Sequence, residues 1–80
     1  MDNIQDKITN IFKTYKVDIN NVDSNKSLIE SGIIDSMAFA NILLEIEDVF
    51  GIELDFEHID MVSITSVTGL IEYIKTVVKQ

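Results

Sequence analysis

The sequence predicts an all-α fold: a small four-helix bundle of three main helices and one short helix, with a long loop after the first helix. Three segments carry apolar residues at the spacing of one helix face. The chain contains no proline, no convincing strand pattern and no internal repeat. Its 80 residues, 46% of them hydrophobic, are enough for one core, so we expect a single domain over residues 1–80.

The first helix is predicted over residues 2–15. Its apolar residues recur along one face: Ile4, Ile8, Ile11, Phe12 and Tyr15. Asp2 or Asn3 is expected to cap its first turn, and Lys13 and Lys16 lie near the negative end of its dipole.

A long loop is predicted over residues 16–35. It is rich in turn-forming residues: Asn20, Asn21, Asp23, Ser24, Asn25 and Ser27. Loops of this length are often functional. Six apolar side chains are expected to pin the loop to the core: Val17, Ile19, Val22, Leu28, Ile29 and Ile33.

The second helix is predicted from Ser36 to Phe50, with Gly51 ending it in a left-handed conformation. One side of this helix forms a core stripe: Phe39, Ile42, Leu43, Ile46, Val49 and Phe50. The opposite side is also partly apolar, and Glu45 and Glu47 lie at its edges. A helix in so small a bundle should not bury both sides.

We therefore expect the second apolar side to be exposed and to bind partner proteins. This docking face consists of Met37, Ala40, Asn41, Leu44, Glu47 and Asp48. An apolar centre with a charged rim is typical of surfaces that bind partners transiently. The alternative is that Met37 and Leu44 cover the long loop.

The last two helices are predicted over residues 56–62, as one or two turns, and from Thr65 or Ser66 onward, with one of these two as the N-cap. The inward residues of the final helix are expected to be Val67, Leu70, Ile71, Ile74 and Val78. Gly69 costs that helix roughly 1 kcal/mol relative to alanine, which indicates close packing against a neighbour.

The net charge of −8 favours basic protein partners. No lysine or arginine occurs between Lys26 and Lys75, whereas ten acidic residues do: Glu30, Asp35, Glu45, Glu47, Asp48, Glu53, Asp55, Glu57, Asp60 and Glu72. Such a field repels nucleic acid and anionic lipid. We expect a cytoplasmic protein that does not insert into membranes, because the chain has no cysteine and no long apolar run. We also expect a monomer.

The chain offers few parts for a catalytic site. It has no cysteine, no arginine and one histidine, His58, and no nucleophile lies next to a base. We therefore expect that the protein is not an enzyme. No calcium-loop pattern occurs, and we predict no metal site. Ser36 taken alone is most often just an N-cap.

In combination, these features resemble the acyl carrier protein family, including the peptidyl and D-alanyl carrier proteins. The resemblance covers almost the whole chain. It is carried by Asp35-Ser36-Met37 after the long loop, by the phase of Ile42, Ile46 and Phe50, and by Ile64-Thr65-Ser66-Val67 followed by Leu70-Ile71-Glu72-Tyr73-Ile74.

The resemblance implies that Ser36 receives 4′-phosphopantetheine from coenzyme A, through a phosphodiester made by a phosphopantetheinyl transferase. The thiol of this arm would hold an acyl or aminoacyl group as a thioester. Asp35 matches the family aspartate that helps the transferase to hold Mg²⁺. The implied partners are the transferase, an acyl or aminoacyl ligase, and downstream synthases with basic docking surfaces.

The cargo stays open between fatty acid, polyketide, nonribosomal peptide and D-alanyl pathways. Gly32 lies one place earlier than in the Leu-Gly-x-Asp-Ser-Leu of fatty-acid carriers, which is similar to D-alanyl carriers and to free-standing carriers of biosynthetic clusters. However, the tryptophan and proline common before the last helix of D-alanyl carriers are absent. Phe39 is expected to fill the space that an acyl chain would enter, which favours short acyl or aminoacyl cargo. A carrier-like adaptor that binds a basic partner, with Ser36 only as a cap, is the alternative.

Overall fold

The computed structural model describes residues 4–78 and contains four α-helices: α1 (Ile4–Thr14), α2 (Ser36–Phe50), α3 (Met61–Ile64) and α4 (Val67–Val78). No strand occurs in this range, so the predicted all-α bundle with three main helices and one short helix is confirmed. α1 packs against α2 and α4, and α3 packs against α4. Between residues 4 and 78, every helix is too short or too polar to cross a bilayer.

α1 ends one residue earlier than predicted because the chain turns at Lys16, which has a left-handed φ of 64°. The N–H of Val17 donates to the carbonyl of Phe12 at 3.0 Å, and the N–H of Lys16 donates to that of Lys13 at 2.9 Å. These bonds satisfy carbonyls that a helix end otherwise leaves without partners. The expected caps Asp2 and Asn3 lie outside the described residues.

The long loop is pinned to the core largely as predicted. Val17, Ile19 and Leu28 are buried, and Val22 and Ile29 are partly buried. The prediction that Ile33 packs on the core is wrong, because its side chain is 40% exposed, whereas that of Ile34 is 8% exposed. The carbonyl of Leu28 accepts the N–H groups of both isoleucines, at 3.0 and 3.2 Å, after a turn at Gly32 with φ 80°. This turn directs the second isoleucine inward.

Two backbone hydrogen bonds tie the loop to the end of the chain. The N–H of Leu28 donates to the carbonyl of Thr65, and the N–H of Thr68 donates to the carbonyl of Ser24, both at 2.9 Å. The loop before Ser36 is therefore held by the junction of α3 and α4.

α2 has the predicted bounds and the predicted left-handed Gly51, with φ 64°. Four residues of the predicted core stripe are buried: Phe39, Ile42, Leu43 and Ile46. Phe50 is partly buried, with the Lys7 ammonium 5.3 Å from the centre of its ring. Val49 was predicted to be in the core but is 45% exposed. It lies at the edge of the stripe and lines an open groove between α1 and α2.

The short helix α3 begins five residues later than predicted, and it overlaps the predicted range of residues 56–62 only at Met61 and Val62. Asp55 accepts the backbone N–H groups of residues 57–59 on its side chain and carbonyl, and so forms a separate turn. The side chain of Asp60 then caps α3 by accepting N–H groups of its first turn. Two aspartates thus divide the segment into a turn and a helix.

α4 begins as predicted after Ser66, whose hydroxyl accepts the N–H of Gly69 at 3.1 Å. Its inward residues Val67, Leu70 and Ile74 are buried and Ile71 is partly buried, but Val78 is exposed near the end of the helix, contrary to prediction. The close packing predicted at Gly69 is confirmed. A Cβ built on Gly69 would lie 1.8 Å from the carbonyl oxygen of Ser63, which places the backbone of α3 against that of α4.

Candidate functional site

Ser36 is the first residue of α2, and Asp35 is its N-cap. Asp35 has extended backbone angles, and its Oδ1 accepts the N–H of Ala38 at 2.7 Å. Its carbonyl accepts the N–H of Phe39 at 3.0 Å. The interpretation of Ser36 as the cap is therefore wrong, because the residue before it performs this role.

The Ser36 side chain is exposed, and its hydroxyl forms no hydrogen bond within residues 4–78. The N–H groups of Ser36 and Met37 likewise donate to no other group in that range. Free N–H groups at the start of a 15-residue helix favour a bound anion, by roughly 0.3–1 kcal/mol at an exposed site. The site thus fits a phosphate joined to the hydroxyl, with the neighbouring Asp35 carboxylate opposing strong anchoring.

No base within the described part of the chain is positioned to activate this hydroxyl. The Nδ1 of His58, the only histidine, lies 2.6 Å from Oδ2 of Asp55, in the turn before α3. Ligand atoms of Asp55, Glu57 and His58 all lie within 4.8 Å of one another, since the three residues share this exposed turn. Within residues 4–78, the Ser36 hydroxyl thus has no hydrogen-bonded base.

The apolar residues at the centre of the docking face are exposed, as predicted. Met37 is 76% exposed and Leu44 is 57% exposed. Ala40, Asn41 and Asp48 are exposed as well. The alternative in which Met37 and Leu44 cover the long loop is therefore wrong. These residues share α2 with Ser36, so a protein that grips them would approach the serine.

Glu47 differs from the other members of the docking face because it is only partly exposed. Its Oε2 accepts the N–H of Leu54 at 2.8 Å. Its carbonyl accepts the N–H of Ile52 at 3.1 Å and also that of Gly51. One residue of α2 thus receives three backbone N–H groups from the segment that follows.

A second exposed apolar surface was missed by the sequence reasoning. Val62 is 83% exposed, and with Met61 and Ile29 it lines an open groove of about 210 Å³. The groove also includes Ser27, Glu30 and Thr65. Because α3 has only four residues, no periodicity could have assigned an outward face to Val62.

Residues 6–74 match a family described as the phosphopantetheine attachment site. Nothing among curated proteins or solved structures matches the chain. Domains of this family bear covalent 4′-phosphopantetheine and act as carriers rather than enzymes. Since the match covers far more than half of the sequence, the chain belongs to the phosphopantetheine attachment family of acyl carrier protein-like domains.

Proposed function

We propose that Ser36 is the residue that bears 4′-phosphopantetheine and that the chain carries acyl or aminoacyl thioesters between enzymes. The observation that carries this proposal is the exposed Ser36 hydroxyl, free of hydrogen bonds within residues 4–78, at the first residue of α2. It lies within the matched range of the family. A hydroxyl without an internal partner is available to another enzyme.

The proposed reaction transfers the phosphorus that bears pantetheine from coenzyme A to the hydroxyl of Ser36. The serine Oγ forms a bond to the phosphorus that bears pantetheine in coenzyme A, and the bond from that phosphorus to the bridging oxygen breaks. The nucleotide leaves with this oxygen, and the hydroxyl proton passes to a base of the transferase. The arm supplies a terminal thiol, which holds the cargo as a thioester.

Asp35 is suited to assist the transferase without losing its structural role. Its Oδ1 is used by the cap at the start of α2, and Oδ2 has no partner within residues 4–78. A carboxylate can accept at both oxygens. We propose that Oδ2 faces the Mg²⁺ ion that the transferase brings.

The docking face gives these partner enzymes a surface to recognise. Met37, Ala40 and Leu44 supply apolar contact, and Asn41, Glu47 and Asp48 supply its polar rim. Basic surfaces on the transferase, the ligase and the synthases complement the net charge of −8. In this proposal the protein works as a monomer in the cytoplasm, in a pathway of the fatty acid, polyketide, nonribosomal peptide or D-alanyl type.

Attachment at Ser36 is tested by incubating the protein with coenzyme A and a promiscuous phosphopantetheinyl transferase, followed by intact-mass measurement. The wild type should gain one arm, and Ser36→Ala should gain none. Ser31→Ala is the matched control, because Ser31 is a nearby exposed serine whose hydroxyl donates to the carbonyl of Ser27 at 2.7 Å. An unmodified wild type would instead favour an adaptor that never receives the arm.

A further inference from the structure

The groove between the long loop and α3 combines apolar side chains with one carboxylate. Ile29, Met61 and Val62 supply its apolar lining. Within residues 4–78, Glu30 alone among the lining residues carries a charge. The volume of about 210 Å³ is below the roughly 300–1,000 Å³ of pockets that hold whole drug-sized ligands. The groove therefore suits a short chemical group that bears a positive charge.

Backbone hydrogen bonds hold both walls of this groove in place. The N–H of Leu28 joins the two walls by donating to the carbonyl of Thr65 at 2.9 Å. On the loop side, the N–H of Glu30 donates to Oγ of Ser27 at 3.2 Å. On the other side, Oγ1 of Thr65 donates to the carbonyl of Val62 at 2.8 Å. Because the walls are already ordered, a bound group does not have to organise the backbone around it.

The Glu30 carboxylate is available to a ligand. It is exposed and forms no hydrogen bond or ion pair within residues 4–78. Lys26 lines an adjoining groove together with Glu30, but the two side chains form no ion pair. An unpaired anion beside apolar side chains complements a cation that has a short apolar attachment.

The groove begins close to Ser36. The N–H of Ile34 donates to the carbonyl of Leu28 at 3.2 Å. Ser36 follows Ile34 by two residues, which is at most about 7 Å of extended chain. Ile29, at the edge of the groove, directly follows Leu28. An extended pantetheine arm on Ser36 is longer than this separation, so its free end can reach the groove.

We propose that this groove binds the cargo end of the arm, and that it binds an aminoacyl group in preference to a plain acyl group. The ammonium of an aminoacyl thioester pairs with the Glu30 carboxylate, while its short side chain contacts Ile29 and Val62. A plain acyl group offers no cation to Glu30. The inference rests on the proposed function and selects one substrate class among those that it leaves open.

Tethering makes weak contacts sufficient for this selection. A group on a short flexible linker has an effective concentration on the order of mM at a site within its reach. Pairing with an exposed carboxylate then raises the ratio of bound to free cargo by about two- to fivefold. The cargo is therefore held between visits to enzymes but is released readily to them.

The test compares alanyl and propionyl cargo, which differ only in the α-ammonium. Coenzyme A analogues with an amide in place of the thioester are transferred to Ser36, so that neither cargo hydrolyses. The methyl NMR signals of Ile29, Met61 and Val62 report binding in the groove. Relative to the unloaded arm, alanyl should shift these signals about two- to fivefold more than propionyl does. Equal shifts from the two cargoes would overturn the proposal.

Glu30→Gln should reduce the shifts caused by alanyl to the level of propionyl. Glu53→Gln is the matched control, because it removes the same charge from an exposed residue that does not line the groove. It should leave the alanyl shifts unchanged. Full alanyl shifts in Glu30→Gln would refute the pairing. If Ser36 is loaded and the methyl signals do not respond, only the groove assignment fails; if Ser36 is never loaded, the proposed function fails instead.

Discussion

Replacing Gly69 with alanine should affect the stability of the fold in two opposite ways. Gly69 lies inside α4, where alanine is favoured over glycine by about 1 kcal/mol in an exposed helix. A Cβ at this position would lie 1.8 Å from the carbonyl oxygen of Ser63, far inside the 3.4 Å at which ordinary contact begins. This oxygen belongs to the backbone, so it cannot relieve the clash by changing rotamer as a flexible side chain would.

The packing effect should exceed the propensity effect. To restore ordinary contact, α3 must move by about 1.6 Å relative to α4, and overpacking of this kind typically costs about 1–3 kcal/mol. The movement also strains the hydrogen bond from Leu28 to Thr65, worth about 1 kcal/mol. After the gain in helix propensity, we expect a net loss of roughly 1–3 kcal/mol. For a domain of this size that lowers the melting temperature by roughly 5–20 °C.

Thermal unfolding followed by circular dichroism measures this loss. Thr68→Ala is the control, because Thr68 is the preceding exposed residue of α4 and its change leaves the contact with Ser63 intact. It should be neutral or slightly stabilising, since alanine is the better helix former. If Gly69→Ala melts at or above the wild-type temperature, the reasoning from close packing is refuted.

Three further predictions concern charge, cargo and the helix cap. Because the net charge is −8, moderate salt or Mg²⁺ should raise the melting temperature, and a midpoint unchanged from low salt would contradict this. Because Phe39 fills the core beside the start of α2, loading with octanoyl should change the melting temperature little compared with the unloaded form; strong stabilisation would count against this expectation. Asp35→Ala should lose about 0.5–2 kcal/mol in urea unfolding, whereas Asp35→Asn should keep most of the stability but slow the modification. Equal stability of Asp35→Ala and wild type would show that the cap contributes nothing.

α2 could be predicted from the sequence because local signals agree along its whole length. Fifteen residues give a clear apolar stripe, and Gly51 marks the end. The exposed side of this helix also followed, because Met37 and Leu44 lie opposite a stripe that already fills the core. The start was also predicted, but Asp35 was not foreseen as the N-cap, because serine and aspartate both have an acceptor suited to that role.

Three features could not be predicted, because they depend on contacts that a local sequence pattern does not reveal. They are the position of α3, the burial of Ile34 in place of Ile33, and the hydrogen bond from Leu54 to Glu47. A helix of four residues is too short for its apolar spacing to show where it begins. The sequence therefore predicted helix over residues that form the turn at Asp55. Ile33 and Ile34 are equally apolar, and only the turn onto Leu28 decides which is buried. The bond from Leu54 to Glu47 spans seven residues and joins two different elements, so the sequence showed only an acidic residue at the edge of a helix.

The two backbone bonds between the long loop and the junction of α3 and α4 make the presentation of Ser36 a property of the whole fold. A fragment ending at residue 60 would retain the serine, its aspartate cap and every member of the docking face. It would lack Thr65 and Thr68, and with them the two partners that fix Leu28 and Ser24. On the proposed function, the transferase therefore recognises a folded surface that the last quarter of the polypeptide helps to hold in place, and a peptide containing only the residues around Ser36 would lack these two hydrogen bonds.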